Sequence, residues 1–231
     1  MADTNANELP TGLYWKGKKT EVERIALPFQ TIEVINESRA TREKEKGTFL
    51  RTTPDTSWHN RLIWGDNKYI MASLMEEFAG KIDLIYIDPP FATGADFSVR
   101  MEIGDVEWTK EPSAIEDKAY RDTWGKGLDS YLQMMYERLV LMRELLAPNG
   151  SIYTHLDWRM SSYVRIIADE IFGQKSYTRE IIWRMGWVSG YKTMANNWIR
   201  NHDNILFYVK DPENFTFNKK WIPYPPGYER W

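Results

Sequence analysis

The stretch that decides the fold is residues 80–91, which read Gly-Lys-Ile-Asp-Leu-Ile-Tyr-Ile-Asp-Pro-Pro-Phe. Its centre, residues 82–87, is mostly apolar and rich in β-branched residues, a pattern typical of a buried parallel strand. The strand is expected to end at Asp88, because the prolines that follow have no backbone N–H to continue a hydrogen-bonded ladder. A carboxylate therefore stands at the carboxyl end of a strand, where open α/β sheets bind their ligands.

Upstream of this stretch, the pattern predicts a strand and then a helix. The apolar run at residues 62–64 predicts a short strand, and Asp66 lies at its end. Apolar residues then recur at helical spacing at Ile70, Leu74 and Phe78, and Gly80 supplies the stop.

Downstream, residues 92–128 show little periodicity and are predicted to form a long loop. A helix is expected to open at Asp129 or Ser130 and to end at residues 148–150. Its predicted buried stripe consists of Leu132, Met135, Leu139 and Met142. A strand at residues 151–156, a helix stopped by Gly173, and strands at 179–183 and 204–209 follow. This alternation predicts an α/β domain with a mostly parallel sheet.

The composition excludes several classes of protein. The 231 residues have a net charge of −3 and contain no cysteine, so disulfides, cysteine-ligated zinc, iron–sulfur clusters and thiol catalysis are excluded. With three histidines in the chain, no metal site is predicted, although His155 and Asp157 share one face of a predicted strand. We expect His155 to belong to a hydrogen-bond network instead. The N-terminus is polar, and no apolar run approaches the roughly 18 residues of a membrane span. We therefore expect a cytoplasmic protein without a membrane partner.

Charge is distributed unevenly along the chain. Residues 175–231 hold nine basic and five acidic residues together with 13 aromatic ones. Basic residues interleaved with aromatic ones suit a polyanion with bases that can stack. The alternative is a well-packed β region with solvated lysines and arginines at its rim.

The tetrapeptide Asp88-Pro89-Pro90-Phe91 is the sharpest chemical signal. The Asp88 carboxylate and the proline carbonyls can only accept hydrogen bonds, and Phe91 adds an aromatic plate. Acceptors next to a stacking ring are what the exocyclic amine of a nucleobase needs to become a nucleophile. The structural alternative is a proline turn after a strand, with Asp88 as a cap.

Further segments share the order and spacing of one enzyme family. Over roughly residues 60–210, the chain resembles the DNA amino-methyltransferases in which the catalytic tetrapeptide precedes the cofactor-binding glycine motif. The modification subunits of Type III restriction–modification systems are of this class. Besides residues 80–91, the matching parts are residues 62–67, 150–157, 169–173, 180–183 and 202–206, with Trp124, Tyr131 and Arg143.

The resemblance implies a Rossmann-like methyltransferase fold, S-adenosylmethionine as cofactor and double-stranded DNA as substrate. It implies that Asp88 and the Pro89 carbonyl bind the amino group of a flipped base, next to Pro90, and that Phe91 stacks on its ring. Aspartate in the first position resembles the adenine-N6 enzymes. Asp66 and Asp88 are the candidate residues for binding the cofactor. The alternative role for Asp66 is that of a helix cap.

The chain departs from the family in one respect. It contains no Phe-x-Gly-x-Gly segment, through which these enzymes largely bind S-adenosylmethionine. We therefore expect an incomplete methyltransferase fold, with an N-terminal arm and leader (1–58), a catalytic region (59–212) and the start of a target-recognition region (213–231). The alternative is a non-catalytic or split DNA-binding fragment that needs a second chain for its cofactor. A restriction subunit and a second copy of the chain are the candidate protein partners.

Overall fold

The computed structural model describes residues 12–32, 60–90, 99–103, 106–110, 127–186, 196 and 198–221. The helices in this part of the chain are α1 (Asn67–Phe78), α2 (Leu128–Leu145) and α3 (Ser161–Phe172), and a short 3₁₀ helix spans Gln174–Ser176. The strands are β1 (Ile82–Ile87), β2 (Val99–Ile103), β3 (Val106–Lys110), β4 (Leu146–Leu156), β5 (Tyr177–Arg184) and β6 (His202–Val209). The predicted α/β class is confirmed.

Four of these strands form one sheet in the order β1-β4-β6-β5. β1 and β4 are parallel, whereas β6 is antiparallel to both β4 and β5. The sheet is therefore mixed, and the prediction of a mostly parallel sheet is wrong for the described strands. An apolar run predicts a strand, but it does not specify the direction of the neighbouring strand. The prediction that residues 82–87 are buried is also wrong: no residue of β1 is buried, and Leu84 and Tyr86 are more than half exposed, because β1 has a single neighbour among the described strands.

One face of this sheet, here called the helix face, packs against the helices. It carries Ile152 and Leu156 of β4 and Leu206 and Tyr208 of β6, and all four belong to the main apolar core. The stripe predicted on α2 is confirmed as buried: Leu132, Met135, Leu139 and Met142 are each at most 5% exposed. Removal of this apolar surface from water is the main force that holds the helices on the sheet.

The other face of the sheet, here called the opposite face, carries Tyr86, Tyr153, His155 and Phe207, as the strand register requires. The Tyr153 and Phe207 rings stack, with centroids 4.5 Å apart and planes 11° apart. Phe215 also packs against Phe207, edge to face. At the two ends of the sheet this face is open to solvent, because Leu84 and Trp183 are both more than half exposed.

Gly150 lies where the backbones of β1 and β4 approach most closely. A Cβ atom at this position would lie 2.8 Å from the Ile82 carbonyl oxygen and 3.1 Å from that of Asp83. The pairing of the two strands shifts in register between Ile82 and Leu84. Glycine therefore allows the parallel pair to form, and this pair fixes where the carboxyl end of β1 lies.

An irregular N-terminal segment, residues 12–32, lies against the helices. Lys18 forms an ion pair with Glu170 of α3 at 2.7 Å, and Arg24 donates to Glu144 of α2 at 3.1 Å. Val22 is buried in the core, and Leu13 and Trp15 pack against it. Polar and apolar contacts together therefore hold this segment to the protein.

Three predicted local features differ from the structure. Residues 62–64 form no strand, and Leu62 and Trp64 are highly exposed, since a run of three residues finds no partner strand. The predicted loop at 92–128 contains the antiparallel β2–β3 pair, which the two residues Gly104 and Asp105 between alternating runs signal in the sequence. α2 ends at Leu145, and residues 148–150 lie inside β4, where the register shift accommodates them.

Candidate functional site

The tetrapeptide lies where its sequence predicts, directly after the carboxyl end of β1. Asp88 is exposed, and Pro89 and Pro90 are partly buried. Among the residues that the structure describes, none donates a hydrogen bond to the Asp88 carboxylate, which leaves its oxygens able to accept from a ligand. Phe91 lies outside the described residues, so its predicted stacking role stays a prediction.

The backbone around Asp88 favours recognition of a donor group. Neither Pro89 nor Pro90 has an N–H, so this stretch offers carbonyl and carboxylate oxygens without competing donors. The last paired residue of β1 is Ile87, opposite Thr154 of β4, and the chain leaves the sheet after it. Such an end of a parallel strand can hold an amino group against fixed acceptors.

The carboxyl end of β4 lies next to that of β1 and carries a buried aspartate. Asp157 is fully buried and accepts hydrogen bonds from the backbone N–H groups of Arg159 and Met160, both at 3.1 Å. Arg159 Nε donates to the second carboxylate oxygen at 2.7 Å. Burial and the Asp157 charge raise the pKa of Tyr131. Asp157 therefore fixes the turn between β4 and α3 at the edge where Asp88 lies.

A polar chain of side chains connects the strand ends at the same edge. The Tyr86 hydroxyl oxygen lies 2.9 Å from His155 Nδ1, and His155 Nε2 lies 3.7 Å from an oxygen of Asp203. The sequence favours a hydrogen-bonded His155 over a metal ligand, and the contact with Tyr86 confirms this role. The identity of the partner was not predicted, because it depends on how β1 and β4 pair.

Asp66 has a structural role in these contacts. Its carboxylate oxygen accepts from the Lys68 backbone N–H, as an N-terminal cap of α1, and from Arg138 of α2, both at 2.9 Å. It follows an irregular exposed segment and not the predicted strand end. The helix-cap alternative is thus confirmed, and binding of a cofactor by Asp66 stays a prediction.

The basic and aromatic segment at residues 175–231 presents several side chains to solvent. Trp183 of β5 is 58% exposed, and Trp198 and Trp221 are 100% and 89% exposed. Arg179 and Arg184 on β5 are exposed as well. The exposed arginines also fit the alternative of a packed β region with solvated basic residues at its rim, and β6 is mostly buried, so the contact with DNA stays a prediction. Trp187 and Tyr191 lie outside the described residues.

Two kinds of site were sought in the described ranges. No group of three or more histidine or acidic side chains there could hold a metal ion. No helix there is both long and apolar enough to span a membrane.

The family model described as DNA methylase (N6_N4_Mtase) matches residues 82–230 of the chain. The Type II methyltransferase M.EcaI of Enterobacter cloacae is 36% identical over 177 residues, which cover 77% of this chain and 35% of M.EcaI. The Mod subunit of the Type III restriction–modification enzyme EcoP15I of Escherichia coli is 27% identical over 211 residues, which cover 87% of this chain and 30% of that subunit. The chain thus spans about a third of the length of these curated relatives.

Among solved structures, the crystal structure of M1.HpyAVI is similar to 73% of this chain and 61% of its own chain. The TM-score is 0.40 and the sequence identity 15%.

Proposed function

The chain belongs to the DNA methylase family, and we propose on this basis that it takes part in methylation of the N6 amino group of adenine in double-stranded DNA. S-adenosylmethionine is the proposed methyl donor, and a restriction–modification system is the proposed setting. The observation that carries the proposal is the exposed acceptor group Asp88-Pro89-Pro90 at the carboxyl end of β1.

In the proposed mechanism, Asp88 and the Pro89 carbonyl each accept one N–H of the target amino group. Both contacts would orient the nitrogen lone pair toward the methyl group. As the nitrogen–carbon bond formed, the carbon–sulfur bond would break, and the proton that the nitrogen loses would pass to the Asp88 carboxylate that already accepts its N–H. Positioning then contributes most of the rate acceleration. Phe91 is proposed to stack on the base after it leaves the duplex. Flipping costs a few kcal/mol, which stacking and edge contacts offset.

The carboxylates of the described residues suit the positively charged part of the cofactor. S-adenosylmethionine supplies a methyl group on a positively charged sulfur, whose neutral thioether product leaves without help from an acid. The exposed Asp88 carboxylate is suited to a positively charged ligand. Asp66 fits less well, because Lys68 and Arg138 already use its carboxylate. The sequence offers no Phe-x-Gly-x-Gly cradle.

The first test is replacement of Asp88 by alanine in the enzyme as its source cell makes it. Transfer of a labelled methyl group to DNA is expected to fall by at least about a hundredfold, because the amine loses its orienting acceptor. The dissociation constant for DNA is expected to stay nearly constant. Asp83→Ala is the matched control, since Asp83 is an exposed aspartate of the same strand. Undiminished methylation by Asp88→Ala would overturn the proposal.

The choice of adenine depends on Asp88 and needs its own measurement. Methylated DNA is digested to nucleosides and analysed by mass spectrometry. N6-methyladenine is the expected product. N4-methylcytosine would overturn the adenine assignment and leave DNA amino-methylation in place.

The basic and aromatic segment at residues 175–231 is the proposed DNA contact. If its lysines and arginines neutralise phosphates, affinity for DNA should fall steeply with salt, with a slope of about one decade per decade of salt for each phosphate contact. A flat salt dependence would contradict this placement. A restriction subunit and a second copy of the chain are the proposed protein partners, tested by co-purification and by the mass in solution.

A further inference from the structure

Four side chains form a connected polar group at the strand ends, here called the strand-end relay: Tyr86, His155, Asp203 and Arg200. Tyr86 Oη lies 2.9 Å from His155 Nδ1, and His155 Nε2 lies 3.7 Å from Asp203 Oδ2. Arg200 Nη1 donates to Asp203 Oδ1 at 3.1 Å. The first three members come from β1, β4 and β6, so the relay crosses three neighbouring strands.

The relay begins two residues before the tetrapeptide. Tyr86 and Asp88 are about 7 Å apart along an extended chain, and Asp88 follows directly after the last residue of β1. In the described part of the chain β1 has β4 as its single hydrogen-bonded neighbour, and their pairing ends at Ile87. Beyond that residue the two prolines contribute no N–H. The Tyr86–His155 contact therefore joins β1 to β4 close to the point where Asp88 begins.

The middle of the relay is more buried than its two ends. Tyr86 is 53% exposed and the Arg200 side chain 35% exposed, whereas the side chains of His155 and Asp203 are 16% and 11% exposed. The Asp203 carboxylate is paired with Arg200, a charge-assisted contact that holds its orientation. The relay therefore reaches solvent at Tyr86 and is held in place at Asp203.

The charge of Asp203 favours one tautomer of His155. Asp203 Oδ2 lies 3.7 Å from Nε2, which is beyond hydrogen-bond length, but its negative charge favours a proton on that nitrogen. Nδ1 is then the acceptor, and the Tyr86 hydroxyl donates to it. The ring pair also meets edge to face, with centroids 6.4 Å apart. This arrangement fixes both the rotamer of Tyr86 and the end of β1.

We propose that His155, oriented by Asp203, is a positioning residue that holds Tyr86 and thereby the end of β1 in the geometry that Asp88 needs for methyl transfer. This inference rests on the proposed function. It predicts a defect in turnover and not in substrate binding, since a small displacement of an orienting group lowers the rate of the chemical step.

The test uses Tyr86→Phe, which removes one hydroxyl from a half-exposed side chain and leaves the ring for packing. In the enzyme as its source cell makes it, kcat is expected to fall about tenfold or more, with KM for DNA within about twofold of the original value. Tyr163→Phe on α3 is the matched control and is expected to change neither. A raised KM with unchanged kcat, or no change at all, would overturn the proposal.

A second readout does not depend on activity. The chain has three histidines, so a long-range proton–nitrogen NMR spectrum of the imidazoles resolves few signals. His155 is expected to show the Nε2–H tautomer, and Tyr86→Phe is expected to shift its Nδ1 resonance while Tyr163→Phe does not. An Nδ1–H tautomer, or an unmoved resonance, would overturn the relay.

The same enzyme with Asp88→Ala separates the two proposals. If Asp88→Ala abolishes transfer and Tyr86→Phe does not alter it, the positioning role is wrong and the proposed function stands.

Discussion

The two faces of the sheet differ most at the carboxyl ends of β1 and β4. On the helix face, Leu156 and Leu206 are at most 2% exposed and pack against apolar side chains of the helices. On the opposite face, apolar packing holds the centre, where Phe207 is 3% exposed and stacks on Tyr153, whereas the polar groups of Tyr86, His155 and Asp203 meet at the carboxyl edge. Apolar burial is large and non-directional, whereas hydrogen bonds are weaker and directional. The buried leucines should therefore contribute mainly to stability, and the polar groups at the edge should determine how the proposed site is aligned.

The largest expected effect compares one leucine on each face. Leu156 is fully buried and Leu84 is 59% exposed. Leu156→Ala is expected to lower the free energy of unfolding by about 2–5 kcal/mol, because it leaves a cavity in the core. Leu84→Ala is expected to change it by about 0.5 kcal/mol or less. Urea denaturation measures both, and equal losses would show that the faces do not differ in this way.

The next effect concerns the close backbone contact between the parallel strands β1 and β4, which contribute side chains to both faces. Gly150→Ala is expected to cost about 1–3 kcal/mol, since the added Cβ meets carbonyl oxygens that cannot move away independently. Gly186→Ala is the control, because a Cβ there would meet nothing within 4 Å. Thermal unfolding of both variants measures the difference. A Gly150→Ala protein as stable as Gly186→Ala would mean that the strands can separate without cost.

A smaller effect is expected when the hydrogen bonds between Tyr208 of β6 and α3 are removed from the helix face. Tyr208 Oη donates to Asp169 at 2.6 Å and to the Arg165 carbonyl at 3.1 Å, so Tyr208→Phe is expected to cost about 1 kcal/mol at neutral pH. Burial and the hydrogen bond to Asp169 raise the pKa of Tyr208 above its ordinary value. A raised pKa in the folded state gives stability that is full below the unfolded pKa of about 10 and is lost as the pH rises above it.

The alkaline arm of this prediction is measured by urea denaturation between about pH 8 and pH 11. The original protein should lose stability as the pH rises, and Tyr208→Phe should lose less over the same range. The slope should not vanish, because burial also raises the pKa of Tyr131 and Tyr153. Tyr163→Phe, in a partly exposed tyrosine of α3, should retain the original slope. Identical slopes in all three proteins would contradict the assignment to Tyr208.

The smallest effect lies outside both faces, on the N-terminal segment. Arg24 and Glu144 form an exposed pair, with side chains 51% and 35% exposed. Arg24→Ala is expected to cost about 0.2–1 kcal/mol, because water and salt screen the pair. The difference should disappear at high salt. A loss as large as that of Leu156→Ala would show that this segment, and not the helix face, dominates stability.

Sequence periodicity predicted the parts of the fold that depend on local pattern. The helix stripe at Leu132 and Leu139, the strand at residues 82–87 and the position of Asp88 after it all follow from spacing and from proline chemistry. The β2–β3 pair was missed although its Gly-Asp turn signal is present, because the runs that flank it are short.

The sequence by itself determined the buried stripe of α2, where the acceptor tetrapeptide stands and which family the chain resembles, because these depend on residue type and on the period of 3.6. It did not determine the exposure of β1, which depends on the neighbours of that strand. Only the tertiary structure decided the direction of β6, the capping role of Asp66 and the contact between Tyr86 and His155. Residues 86 and 155 are far apart in the chain and meet because β1 and β4 pair in one particular register. Register is a property of two strands together, and no local pattern in either strand specifies it fully.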